Sequence, residues 1–97
     1  MPGRRYYFVY LLANSSRSVM YAGVTRNLLK RVLQHRAGLG SAFVKKYWIH
    51  NLVWYEVHES PVSAITREKQ IKAGSRARKI ALVESTNAMW RDLSEEI

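Results

Sequence analysis

A small set of side chains in this sequence can move a proton, hold a metal ion or neutralise a phosphate, and their spacing groups them. Ala64, Ile65, Glu68 and Ile71 recur three and four residues apart, which puts a carboxylate in the apolar stripe of a helix. An unpaired carboxylate is costly to bury, so Glu68 requires a cation, a metal ion or water at the rim of the core. An edge position paired with Lys72, four residues on, explains the same spacing, and the pattern alone leaves both open. Arg31 and His35 are also four apart, beside Leu28 and Val32. Together they can form one site, the guanidinium gripping phosphate oxygens and the imidazole exchanging a proton near neutral pH. On the helix alone, a solvated face is the commoner fate of such a pair.

The tyrosines form a third group: Tyr6, Tyr7, Tyr10, Tyr21, Tyr47 and Tyr55. Tyrosine is ordinary in strands. A free phenol ionises near pH 10, so about one in a thousand is phenolate at pH 7. A catalytic tyrosine therefore needs positive charge beside it, from Arg31 or a metal ion.

These groups need elements to position them. Tyr6 to Leu12 is an unbroken apolar and aromatic run, the pattern of a central strand covered on both faces. Asn14-Ser15-Ser16-Arg17-Ser18 turns the chain into a second strand over 19–24, giving a β-hairpin with Tyr10 and Tyr21 on its two arms. Asn27 caps a first helix in which Leu28, Leu29, Val32 and Leu33 recur to about Arg36, closed by Gly38. Leu39 to Asn51 has no clean period and reads as a loop with room for one helical turn. Its Gly38-Leu39-Gly40 does not follow a strand, which argues against a phosphate-cradling loop. A third strand covers 52–58. Ser60-Pro61 opens a second helix running to about Ala73, and Gly74-Ser75 breaks it. Ser75 caps a third helix with Ala77, Ile80, Ala81 and Glu84 on one face, and a short tail follows from Asn87. The order β-β-α-β-α-α predicts an α+β fold, a small, mostly antiparallel three-stranded sheet flanked by helices, in one domain over residues 1–97.

The composition excludes several classes. With no cysteine there are no disulfides, thiolate metal sites or cysteine nucleophile. The longest apolar run, Tyr6 to Ala13, is far short of the roughly 20 residues that span a bilayer. The start is basic but lacks a signal-peptide cleavage site, so a cytosolic protein without membrane association is expected. Sixteen Lys and Arg against seven Asp and Glu give a net charge of +9, which favours polyanionic partners. Solubility alone also explains a high pI, but the charges are not spread evenly. Lys30, Arg31, Arg36, Lys45 and Lys46 crowd one stretch, and Arg67, Lys69, Lys72, Arg76, Arg78 and Lys79 another. Nucleic acid is the leading partner.

Phe8-Val9-Tyr10, then Tyr21-Ala22-Gly23, then Arg31 and Glu68 resemble the core of the GIY-YIG nuclease family. Tyr21 to Arg31 is similar to the family's block almost throughout, and the likeness extends to Gly38-Leu39-Gly40-Ser41, Lys45-Lys46-Tyr47, Arg67-Glu68-Lys69-Gln70 and Asn87 to Leu93. It resembles most the short bacterial single-domain members, related to the N-terminal domain of the excision-repair nuclease. Two positions depart from the pattern: Phe8 stands for the glycine of "GIY" and Ala22 for the isoleucine of "YIG".

The resemblance implies an endonuclease, acting on DNA in preference to RNA, with a place in repair or recombination. It implies one Mg²⁺ or Mn²⁺ on Glu68, and a proton acceptor that is Tyr10 or, failing that, Tyr21 or His35. Arg31 would neutralise charge on the phosphorus, with Gly23 and Asn87 in support. Lys30, Lys45, Lys46, Arg76 and Arg78 are expected to track the backbone. Two competing readings are a nucleic-acid-binding module without turnover, and an interaction domain using Trp48, Trp54 and Trp90 as a partner surface. Neither a protein partner nor a second copy is readable from the sequence.

Overall fold

The apolar run near the N-terminus becomes the middle of the sheet. In a computed structural model, which describes residues 5–39 and 42–97, β1 (Tyr7–Ala13) lies between β2 (Met20–Thr25) and β3 (Asn51–His58), and both pairings are antiparallel. Alternation along β1 sends Tyr10 and Leu12 to one face and Val9, Leu11 and Ala13 to the other. The first face is covered by α1 (Leu28–Arg36) through Leu28 and Val32, by α2 (Ala42–Tyr47) through Val44, and by Leu93 of a 3₁₀ turn (Leu93–Glu96). The second is covered by α3 (Pro61–Ala73) through Ala64 and Ile71, by α4 (Arg76–Thr86) through Val83, and by Trp90. With helices on both faces, no position in the middle of β1 can be polar without a partner. Truncating the fully buried Leu11 or Leu12 to alanine would cost about 3 kcal/mol.

Local chemistry sets the helix ends. The side chains of Asn27, Ser60 and Ser75 accept the N–H groups of Lys30, Val62 and Arg78 at 3.0, 3.2 and 3.1 Å, each cap contributing about 1 kcal/mol. Gly38, at φ 76°, closes α1 in a Schellman end. Its N–H donates to the His35 carbonyl at 3.1 Å and the Leu39 N–H donates to Gln34 at 2.9 Å.

The structure corrects four expectations. The stretch expected to be a loop contains α2, six residues long, too short to display a period. It survives because Val44 and Ile49 are buried together, and the Ile49 N–H donates to the Val44 carbonyl at 3.2 Å. Gly40 and Ser41, part of one of the resembling blocks, lie outside the described residues. On α4 the inward residues are Val83 and, in part, Ile80 and Leu82, while Ala77, Ala81 and Glu84 are exposed. On α3, Ile65 is exposed although Ala64 and Ile71 are buried, because the helix meets the sheet along a narrower stripe than the spacing suggested.

Finally, the short tail packs against the sheet. The buried Asn87 amide donates to the Val53 carbonyl at 3.0 Å and to Arg91 at 2.8 Å. Asp92 accepts the Leu52 N–H at 3.2 Å and pairs with Arg36. Trp90 and Trp54 are therefore in the core, and the three-tryptophan partner surface does not form; only Trp48 is exposed. Among the described residues no helix is long and apolar enough to cross a membrane.

Candidate active site

Hairpin register brings the two tyrosines together. Tyr10 pairs with Gly23 and Leu12 with Tyr21, so both phenols stand on the α1 side of the sheet with ring centroids 6.4 Å apart. The Tyr10 ring lies across Gly23. A Cβ at that position would sit 2.4 Å from the phenol oxygen and 2.5 Å from Cζ, so the glycine is required by space and not by its dihedral angles.

The junction of β2 and α1 sets the phase of the helix. Thr25 Oγ1 accepts the Asn27 N–H at 3.1 Å and donates to the Asn27 carbonyl at 3.2 Å. With that start, His35 turns inward beside Val32 and is buried; the solvated face expected of an Arg-His pair applies to neither partner in full, since Arg31 is half-buried. His35 Nε2 lies 3.3 Å from the Tyr10 hydroxyl, and its ring meets Tyr21 edge-on at 5.5 Å. The second nitrogen, Nδ1, is buried with no hydrogen-bond partner among the described residues. Burial, then the positive charge of Arg31 and the neighbouring His50, lower the His35 pKa, so the imidazole is neutral at pH 7.

Tyr10 is buried completely, and burial is the main cause that pushes its phenol well above the ordinary value. Tyr21 and the Glu68 carboxylate push it the same way, while the Arg31 guanidinium, by charge and by hydrogen bonding, pulls it back. Arg31 of α1 and Glu68 of α3 thus both act on one hydroxyl, although their helices cover opposite faces of the sheet. They meet there because the phenol crosses the edge strand at Gly23. Beside it, a groove of about 480 Å³ runs between the end of β2, Lys30 and Arg31 of α1, and Pro61 and Ile65 at the start of α3.

Glu68 has both features weighed from its spacing. Its side chain is 19% exposed and lies 3.4 Å from Lys72 Nζ. Among the described residues no cluster of three or more His, Cys, Asp or Glu side chains could cage a metal. A single carboxylate at the rim suits a hard ion that keeps most of its waters, which is how Mg²⁺ binds. The half-exposed Lys72 is free to swing aside for it. The residues present fit such an ion.

The basic side chains separate by layer. Lys30, Lys45 and Lys46 are exposed on the α1 and α2 side, and Arg78 on α4 across the sheet. Arg76 is committed, its guanidinium donating to the Ser18 carbonyl and, at 2.8 Å, to that of Arg17, which ties the hairpin turn to α4. Asn87 is not brought to the tyrosines; its hydrogen bonds go to Val53 and Arg91. Two aromatic residues near the cluster are not readable as site residues from the sequence. Phe43 lies 6.5 Å from Tyr21 in a stretch without a period where nothing marks it, and Trp48, which lines a pocket with His35, enters the sequence reading only as part of a tryptophan partner surface.

The profile of the GIY-YIG catalytic domain matches residues 6–81. The chain belongs to the GIY-YIG family. UPF0213 proteins are similar over most of its length. One from Clostridium perfringens is 32% identical over 93% of this chain and 96% of its own. One from Natronomonas pharaonis is 36% identical over 79% and 89%. The solution NMR structure of a UPF0213 protein from Bacillus halodurans shares the fold, with a TM-score of 0.58 at 24% identity over 93% of this chain and 95% of that one. The two departures from the GIY-YIG pattern are accommodated locally. Phe8 pairs with Thr25 and Val57 at the sheet margin and packs on the Tyr10 core, while Ala22 is buried on the opposite face.

Proposed function

We propose that the chain is a divalent-metal-dependent endonuclease that hydrolyses phosphodiester bonds, on DNA in preference to RNA, with the cluster around the Tyr10 hydroxyl as its active site. The observation that supports this reading is the convergence on one phenol of a neutral imidazole and a guanidinium from α1 and a carboxylate from α3. A buried phenol with a raised pKa is a poor base by itself. Tyr10 escapes that limit because it takes a proton from the attacking water while handing its own to His35 Nε2, so no free phenolate is formed. Tyr21, half-buried and edge-on to His35, holds the imidazole against Tyr10.

Arg31 serves the phosphate. Drawn to the substrate, its guanidinium leaves the Tyr10 hydroxyl open to water and neutralises charge that develops on the phosphorus. Glu68 would hold one Mg²⁺ or Mn²⁺, with Lys72 displaced. The ion would supply Lewis-acid stabilisation of the leaving oxygen. Gly23 keeps the space for the phenol. Lys30, Lys45, Lys46 and Arg78 contact backbone phosphates, giving binding that weakens steeply with salt. A place in repair or recombination accords with a nuclease of this kind.

The test is a panel of single-stranded, duplex and branched DNA and RNA incubated with Mg²⁺ or Mn²⁺, using wild-type protein, Glu68→Ala and Arg31→Ala. Cleavage by the wild type that both substitutions abolish is expected. Cleavage that survives both would overturn the assignment, and tight binding without any turnover would make the chain a binding module.

A further inference from the structure

The far side of the catalytic imidazole opens into a second pocket. It has a volume of about 550 Å³, and its lining includes His35, Gly38, Lys45, Lys46, Trp48 and His50. No acidic side chain lines it. We propose that this pocket is a nucleotide subsite, in which an unpaired base stacks on Trp48 and accepts a hydrogen bond from His35 Nδ1, with the adjoining phosphates held by Lys45 and Lys46. The proposal rests on nucleic acid being the substrate, as proposed above, and names the form it takes.

Three observations carry it. The first is the unpartnered Nδ1 of a buried His35, since buried polar atoms in folded proteins are almost always bonded and an orphan points to a missing partner. When the Tyr10 hydroxyl donates to Nε2, the neutral ring carries its hydrogen on Nδ1, just beneath the surface of a pocket that His35 lines. Every nucleobase presents a carbonyl or ring nitrogen able to accept it.

The second is Trp48, which is 72% exposed on a backbone held at φ 54°. Trp48 takes the same left-handed position after α2 that Gly38 takes after α1, a place where a bulky residue is strained. The His50 and Trp48 rings meet in a T-shaped contact at 5.5 Å, and most of the indole stays exposed. Stacking on an exposed aromatic side chain is how single strands are gripped without regard to sequence. A base inside a duplex has both faces already covered, so the pocket selects an unpaired one.

The third is the distribution of cations. Arg36 is spent, donating to the His50 carbonyl at 3.2 Å and pairing with Asp92. Lys45 and Lys46 are exposed at the end of α2, and neither is ion-paired among the described residues. The base would lie one imidazole away from the Tyr10 hydroxyl, next to the phosphate to be cut.

The experiment measures binding without turnover. Fluorescence anisotropy in EDTA gives the dissociation constant for a labelled 12-nucleotide single-stranded DNA and for the same strand in a blunt duplex. Wild type, Trp48→Ala, Trp48→Phe and the double variant Lys45→Ala/Lys46→Ala are compared, with circular dichroism as the check on folding. Trp48→Ala is expected to weaken single-strand binding about tenfold while duplex binding stays within twofold, and Trp48→Phe to restore most of the loss. The lysine variant is expected to weaken single-strand binding and flatten its salt dependence. Unchanged single-strand binding by Trp48→Ala, equal weakening for both substrates, or no single-strand binding by the wild type would each overturn the subsite. Because no metal is present, a failure of the nuclease reading leaves this measurement intact, and cleavage that is indifferent to Trp48 would sink the subsite alone.

Discussion

The two nitrogens of His35 face regions built in different ways. On the Nε2 side the space is full: Tyr10 is completely buried, its ring lies against Gly23, and Arg31 and Glu68 act on its hydroxyl. On the other side a pocket opens, the buried Nδ1 has no partner among the described residues, and the main aromatic group is exposed and strained. Tight packing and internal partners suit a site that must hold reacting groups within a few tenths of an ångström. An open pocket with an orphaned donor and unpaired lysines suits a ligand that arrives from solution. Under the two proposals above, one imidazole would couple where a strand is gripped to where it is cut.

The largest effect is expected on the filled side. Gly23→Ala places a methyl group where the Tyr10 phenol lies, so Tyr10 must leave His35 or the hairpin must open. Cleavage should fall more than a hundredfold, with a loss of about 2 kcal/mol in denaturant titrations. A variant that cuts as the wild type does would show that the contact between phenol and glycine is dispensable. The tenfold single-strand defect of Trp48→Ala is the matching effect on the open side.

Acid should separate the two sides further. His35 has a lowered pKa in the folded protein, so between its ordinary value of about 6.5 and the lowered one the unfolded chain binds the extra proton. Stability should therefore be held above pH 6.5 and decline as pH falls below it, until the folded value is reached. Urea midpoints from pH 8 to pH 5 measure this, and His35→Gln should flatten the slope. An unchanged slope would mean that the imidazole is not buried as described.

The smallest effects compare the two helix ends with a left-handed residue, Gly38 and Trp48. Gly38→Ala should destabilise by about 1 kcal/mol because alanine resists the left-handed conformation. Trp48→Gly should stabilise by a similar amount while losing single-strand binding, the pattern of strain retained for a function. Opposite shifts in melting temperature, each about 5 °C for a chain this short, are expected; equal shifts in the same direction would remove the contrast.

Much of this was legible because it is local. The caps at Asn27, Ser60 and Ser75, the breaks at Gly38 and Gly74, and the double-sided burial of β1 follow from side-chain chemistry acting over a few residues. Glu68 was legible as a misfit in an apolar stripe. The inward face of α4 was not, because Ala77 and Ala81 offer a stripe as regular as Ile80 and Val83, and only packing against the sheet decides between them. Trp48 was not legible either. Its conformation depends on the Val44–Ile49 contact closing a six-residue helix, and sequence rules reserve that position for glycine. The burial of His35 needed the partner strand, since a helix carrying Arg31 and His35 is normally wetted on that face.

The most direct test of a metal-dependent centre at Tyr10 is the single-turnover cleavage rate of Glu68→Gln in saturating Mn²⁺, with substrate affinity measured alongside. Glutamine keeps the size of the side chain but lacks the charge that would hold the ion. A rate lowered about a thousandfold or more, with affinity changed only a few-fold, is expected. A rate within tenfold of wild type would contradict the assignment of Glu68, and with it the proposed catalytic centre.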